Sequence, residues 1–207
     1  MPDIQLERDG RVLVATMGRG KANALNTALV EEWHAVLRAA RDDDAVGALV
    51  IASANPKLFC AGLDVGDVFA YDPDTMRRFF DRFVSLLDDL RSLPKAVVAA
   101  VSGHAYAGGA LIALASDFRV MGDGDFGFAL NEVDLGLVLP AAATRWIAPS
   151  LGPATREVLL AGLAIGPRRA LAVGLAVDVV PVAAVRDRAI NLARTLADKP
   201  PVVAVTV

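Results

Sequence analysis

A carboxylate in an apolar setting and two glycine-bearing turns are the features of this 207-residue sequence that could do chemistry. Glu132 lies in NEVDLGLVLP at 131–140, where apolar neighbours would strip water from its carboxylate, raise its pKa and suit it to carrying protons. The plainer alternative is a solvated turn, the ordinary setting for a glutamate. In FCAGLDV at 59–65, Ala61 and Gly62 are small enough to let a ligand approach the backbone. GHAYAGGALIALASD at 103–117 runs from a buried strand through Gly108 and Gly109 into a helix. The first N–H groups of a helix have no intrahelical acceptor and point outward, so they can hold an anion or a developing oxyanion. One N–H from each turn would make a pair of donors for such an oxygen. Taken singly, each turn could do no more than let a strand meet a helix.

Positioning these pieces falls to alternating strands and helices. Val12–Met17 reads as the first strand, and the turn GRGKANALN follows. Asn26 is placed to cap a helix over Thr27–Arg41, with Glu31 and Glu32 toward its positive end and Val30, Trp33 and Leu37 on one apolar face. Ala48–Ala52 reads as a buried strand ahead of the first glycine turn. A second helix fits Asp74–Leu93, with Phe79, Phe83, Leu86, Leu87 and Leu90 at helical spacing and Pro94 as its stop. A strand over Ala96–Val101, a short helix over Gly108–Ser116 and a strand over Phe118–Met121 come next. Beyond Pro140, helices are expected near Pro153–Leu163, Pro167–Val173 and Ala183–Ala197, with an apolar run at Ala176–Val180. Strand, loop and helix recur at about forty-residue intervals, which predicts an α/β fold with stacked β–α turns.

Composition narrows the setting. Hydrophobic residues are 55% and charged residues 22%, too apolar a balance for a disordered chain. The longest stretch without Lys, Arg, Asp or Glu, Ala96–Ser116, could span a bilayer by length. Ser102, Gly103, His104, Tyr106, Gly108 and Gly109 break it into strand, turn and helix, so no membrane association is expected. With 21 Lys+Arg against 24 Asp+Glu and no long basic run, nucleic acid is not an expected partner. The single cysteine, Cys60, excludes an internal disulfide and a cysteine-based zinc site, and no metal is expected. The opening MPDIQLERDG carries no signal-peptide core, which with the lone thiol fits a cytoplasmic setting.

In this order and spacing, KANALN at 21–26, FCAGLDV, GHAYAGGALIALASD and NEVDLGLVLP resemble the enoyl-CoA hydratase/isomerase family, the crotonase fold, over about residues 10–190. The resemblance implies a crotonase-like spiral of repeated β-β-α units over 1–145 that carries the CoA and oxyanion site. It implies a shortened helical region over 146–207 serving oligomerisation, as a homotrimer or dimer of trimers. The implied substrate is an acyl-CoA thioester, with CoA as part of the substrate and no separate cofactor. Carried over residue by residue, the N–H groups of Leu63 and Gly108 would hold the thioester oxygen and Glu132 would be the catalytic base. Lys21, Ala22, Ala24, Ala61, Asp64 and Val65 would lie along the CoA and substrate.

Departures from the family pattern shape the expected reaction. Hydratases of the family carry a second glutamate three residues after the second oxyanion glycine, where this chain has Leu111. The segment FGFAL before Glu132 also differs by one residue of spacing from the common FGxPE form. Hydration benefits from two groups, whereas one base can take a proton from one carbon and return it to another. Family members that are Δ3,Δ2-enoyl-CoA isomerases also keep only this second glutamate, and AGLDV resembles their oxyanion segment. The expected activity is therefore Δ3,Δ2-enoyl-CoA isomerisation. The alternatives are a hydratase using Asp64 or Asp67 as second acid, and an acyl-CoA-binding protein without catalysis. Asp117 is expected to order a turn, His104 to be a packed or hydrogen-bonded loop residue, and Cys60 to be small and buried behind its loop. The Phe79/Phe83 stripe belongs to the core or borders the acyl site. Family members usually continue past KPPVVAVTV, which leaves CoA affinity and oligomeric state open.

Overall fold

Runs of Val, Ala, Leu and Ile that are buried on both faces make parallel strands covered by helices on two sides. The computed structural model describes residues 2–137, 139 and 141–199. Its strands are β1 (Ile4–Asp9), β2 (Val12–Met17), β3 (Ala48–Ser53), β4 (Leu58–Cys60), β5 (Ala96–Val101), β6 (His104–Tyr106), β7 (Phe118–Asp123), β8 (Phe128–Ala129) and β9 (Asp178–Pro181). The helices are α1 (Thr27–Asp42), α2 (Val65–Val68), α3 (Pro73–Arg91), α4 (Gly108–Ala115), α5 (Ala141–Leu151), α6 (Pro167–Ala172) and α7 (Val185–Ala197).

One sheet runs β1-β2-β3-β5-β7-β9 and a second runs β4-β6-β8. Among the strand pairs of the described residues, only β1–β2 is antiparallel. Parallel registers such as Val12↔Ala48, Ala48↔Ala96 and Val98↔Phe118 align the rest of the large sheet. Successive units place one strand in each sheet and then a helical segment: β3, β4 and α3, then β5, β6 and α4, then β7, β8 and a turn into α5. This is the β-β-α spiral. Strand alternation sorts the core into two layers. Val12, Val14, Val50, Val98 and Val120 pack with Val185, Ala189, Ile190 and Ala193 of α7. Leu13, Ala15, Leu49, Ile51, Val97 and Ala99 face α1, α3 and α4. Residues on both sides of position 145 thus share the large sheet and its covering helix. Among the described residues no helix is long and apolar enough to cross a membrane.

The helix over 27–42 forms with Asn26 as cap, its side chain accepting from the Leu29 N–H. Glu31 and Glu32 fall beyond the first turn of the helix, which starts at Thr27, and tertiary partners take them. Glu31 pairs with Arg82 at 2.6 Å, and Glu32 accepts the Asp3 and Ile4 N–H groups at 3.2 and 2.9 Å. Strand β1 was not foreseen, since an exposed edge strand reading IQLERD has too few apolar residues to alternate visibly. The helix expected near Pro153–Leu163 is replaced by a 3-10 turn at Gly152–Ala154 and one π turn at Arg156–Leu160. The helix itself comes earlier, as α5, with Pro149 in its last turn. The apolar run at 176–180 supplies β9, the edge strand beside β7. The tail from position 200, with most of KPPVVAVTV, lies outside the described residues, as do Val138 and Pro140 of the Glu132 segment.

Candidate active site

Three parallel strands bring the chemistry together. β4, β6 and β8 pair as Cys60↔Ala105, Ala105↔Phe128 and Tyr106↔Ala129, so their carboxyl ends lie along one edge. Leu63 follows the end of β4, Gly108 the end of β6 and Glu132 the end of β8. Ligands bind beyond the carboxyl ends of parallel strands for this reason: the chain leaves each strand there into a loop that can face a common space.

The KANALN turn is laced to the first glycine turn by backbone bonds. Ala61 N–H donates to the Ala22 carbonyl at 3.0 Å, Leu25 N–H to Gly62 at 2.7 Å, and Asp64 N–H to Leu25 at 2.8 Å. Asn23 fixes the turn from within. It is buried with φ 48°, a left-handed conformation that Asn tolerates better than most residues. Its Nδ2 donates to Ser53 Oγ at 2.9 Å and the Phe59 carbonyl at 3.0 Å, and its Oδ1 accepts the Arg19 N–H at 2.9 Å. Arg19 spans the loop, donating to the Ala24 carbonyl at 2.8 Å and pairing with Asp64 at 2.7 Å and Asp67 at 3.3 Å. The Arg19 guanidinium holds the Asp64 carboxyl below the usual carboxylate range. The Lys21 carbonyl accepts from Asn55 Nδ2 at 2.7 Å, and Val65 opens α2 with its side chain exposed. Asn23 and Arg19 escaped the sequence reading; an Asn inside a tight turn was the available signal.

The two glycine turns meet face to face. Gly62 has φ +94°, and a Cβ there would lie 2.8 Å from the Ala107 Cβ and 3.3 Å from the Gly108 nitrogen. Ala107 itself has φ 46° and ψ −122°, a strained backbone for a residue with a side chain. That turn aims the Gly108 N–H out of the first turn of α4. Among the described residues no acceptor takes the Leu63 or the Gly108 N–H. Helix α4 is buried along its whole length. At its far end the buried Arg119 donates to the Ala113 carbonyl at 3.2 Å and the Ser116 carbonyl at 2.6 Å, placing a cation at the negative pole of the helix. Burial pulls the Arg119 pKa down to about 10. Asp117 accepts the Val97 N–H at 2.8 Å and so ties the turn after α4 to β5. His104 Nδ1 accepts the Gly127 N–H at 3.0 Å and bonds the Tyr106 hydroxyl at 2.8 Å, a structural role. Cys60 is buried, donates to the Asn23 carbonyl at 3.1 Å, and has its thiol pushed up to about 12 by burial.

A cavity of about 660 Å³ joins the pieces: Leu63, Gly108 and Glu132 all line it. Its walls are apolar, with Phe80, Phe83, Val84 and Leu87 from α3 and Trp146 from α5. Leu111 lines it as well and is 4% exposed. Glu132 sits in the 3-10 turn Asn131–Leu135, which Gly136 ends at φ 67°. Its Oε2 is buried without a partner among the described residues, and burial raises its pKa, partly offset by its own N–H. Two unsatisfied N–H donors and a desolvated carboxylate around one apolar cavity can stabilise an enolate-like oxygen and move a proton beside it. Asp64 and Asp67 do not line this cavity. Among the described residues no three His, Cys, Asp or Glu side chains gather as a metal site.

Known proteins share this sequence pattern and this shape. The family model for enoyl-CoA hydratase/isomerase matches residues 7–207. Carnitinyl-CoA dehydratase of Escherichia coli K12 is 34% identical over 202 residues, covering 96% of this chain and 76% of that protein. Human mitochondrial Δ3-Δ2-enoyl-CoA isomerase superposes with a TM-score of 0.91 at 26% identity, covering 96% of this chain and 79% of that one. Enoyl-CoA hydratase of Bacillus anthracis gives a TM-score of 0.89 at 26% identity, covering 96% and 78%.

Proposed function

Because the chain belongs to the enoyl-CoA hydratase/isomerase family, a family of acyl-CoA enzymes with this α/β fold, we propose that it is a Δ3,Δ2-enoyl-CoA isomerase with a single base. The thioester oxygen of a 3-enoyl-CoA accepts the Leu63 and Gly108 N–H groups. Glu132 removes the proton at C2. The electron pair moves through C2, C3 and C4 with the charge gathered on the oxygen, and Glu132 returns the proton at C4. No atoms are lost or gained. The two N–H groups stabilise the dienolate more than the ground state, which is what lowers the barrier. The CoA runs past Lys21, Ala22, Ala24 and Ala61.

The observation that supports this reading is that Glu132 is the carboxylate of the cavity withdrawn from water, while Leu111 stands where a second glutamate would be needed for hydration. Asp64 and Asp67 are ion-paired to Arg19 outside the cavity, which argues against either as that second acid. A second reading, dehydration or hydration, is favoured by the 34% identity to carnitinyl-CoA dehydratase. One assay separates the two. 3-Hexenoyl-CoA is expected to give conjugated 2-hexenoyl-CoA, and crotonyl-CoA to give no 3-hydroxybutyryl-CoA. Hydroxyacyl product formed faster than the isomerised one would overturn the isomerase reading. A homotrimer or dimer of trimers is part of the same proposal, supported by the exposed Leu160, Leu163 and Val133, with Gly162 against Val133; sedimentation at micromolar concentration checks it.

A further inference from the structure

Among the described residues the cavity's ionisable lining is of one sign. Besides Glu132 it contains Asp81 and Asp88, both exposed and both on α3. Seven residues apart, they project from the same face of the helix two turns from each other. Neither has an ion-pair partner among the described residues, although α3 carries four arginines. Three of those cations are held by partners outside the cavity lining. Arg77 pairs with Asp74 at 2.8 Å, Arg78 donates to Thr75 at 2.8 Å, and Arg82 pairs with Glu31 at 2.6 Å. The fourth, Arg91, lies 4.8 Å from the centroid of Trp146, a wall of the cavity, without itself lining it. The walls between the two aspartates are apolar, formed by Val84, Leu87 and the neighbouring Phe80, which is 38% exposed.

We propose that Asp81 and Asp88 make the cavity select acyl chains by the charge at their far end, rejecting chains that end in a carboxylate and favouring neutral or cationic ones. The proposal rests on the acyl-CoA reading of the site and names its substrate class. An acyl chain laid along α3 from Leu63 and Gly108 meets hydrocarbon first and the aspartates where the cavity opens to water. A terminal carboxylate there loses hydration to the apolar wall and faces the like charge of whichever aspartate its length reaches. A terminal ammonium faces an opposite charge at the same place. At contact distance in water, one pair of unit charges changes affinity by about fivefold. Desolvation penalises both charged ends, so the aspartates are identified by the difference in sign.

The test is a set of saturated acyl-CoA thioesters of six to ten carbons ending in methyl, carboxylate or ammonium, with Kd measured by calorimetry. Wild type is compared with the Asp81→Asn/Asp88→Asn double variant. Neutralising the aspartates is expected to tighten the carboxylate chain and weaken the ammonium chain, each by about fivefold or more at the length that reaches them. Raising salt on the wild type should move both in the same directions by less. Shifts of the same sign for both chains, or none at any length, would overturn the proposal. Turnover of 3-hexenoyl-CoA is read separately. Opposite shifts without turnover would sink the isomerase reading and leave charge selection standing; turnover without shifts would do the reverse.

Discussion

Replacing Glu132 with Gln is expected to move activity and stability in opposite directions. The Glu132 Oε2 is buried without a partner, and burial raises the pKa of the folded carboxyl above its ordinary value. Leaving a buried polar atom unsatisfied costs about 1–3 kcal/mol, more when it is charged. The unfolded chain is hydrated and has no such cost. Below an ordinary glutamate pKa of about 4.3 the carboxyl is protonated in both states, and the fold keeps its full stability from this group. As pH rises through the raised folded value, the folded state must ionise a desolvated group and stability is lost. Gln is neutral at every pH and nearly the same shape. E132Q is therefore expected to exceed wild type by about 1–2 kcal/mol at pH 8, with the difference shrinking toward pH 4. Urea unfolding of both proteins at pH 4, 6 and 8 measures it. Turnover of 3-hexenoyl-CoA should fall by about 10²–10⁴, the usual contribution of a positioned base. Wild-type turnover should rise with pH through the same raised pKa. A variant less stable than wild type at pH 8, or a gain that ignores pH, would refute the desolvation argument. Unchanged turnover would refute Glu132 as the base.

Other substitutions test how the site is held. Asn23→Ala removes two donated bonds and one accepted bond inside a buried turn, and is expected to cost about 2–3 kcal/mol in urea unfolding and to raise KM for the acyl-CoA. Gly109→Ala would place a Cβ 2.3 Å from the Cys60 carbonyl oxygen, so α4 must shift; a loss of about 1–3 kcal/mol in the same assay is expected. Cys60, buried and with its thiol pushed up to about 12, should resist a disulfide reagent at pH 8 in the native protein and react at once in 8 M urea. Rapid native reaction would mean that the loop opens.

Strong local patterns were legible without a structure. The Asn26 cap, the apolar stripe of α3 with Phe79 and Phe83 buried in the core, and the all-apolar β5 each depend on neighbours within a few turns of chain. Their ends were read to within one or two residues. The three short strands were not legible, because two or three residues such as Phe128–Ala129 carry no periodicity. The edge strand β1 and the π turn at Arg156–Leu160 were hidden for related reasons, since one is polar and the other is set by packing around it.

The same division holds at the site. Sequence by itself determined the chemical parts: a glutamate among apolar residues, two glycine turns, a leucine at position 111 and the pattern that ties them to a family. Tertiary structure decided what those parts do. Parallel pairing of β4, β6 and β8 brings residues 63, 108 and 132 to one edge across nearly seventy residues of chain. The fold withdraws the Glu132 carboxylate from water but leaves Asp81 and Asp88 exposed, although all three are carboxylates that line one cavity. Arg19 claims Asp64 and Asp67, whose spacing alone had left them as candidate acids. Residue types fix which groups can carry charge or donate a hydrogen bond. Which of them is desolvated, paired or left free depends on neighbours that are distant in sequence, and only the folded chain brings those neighbours together.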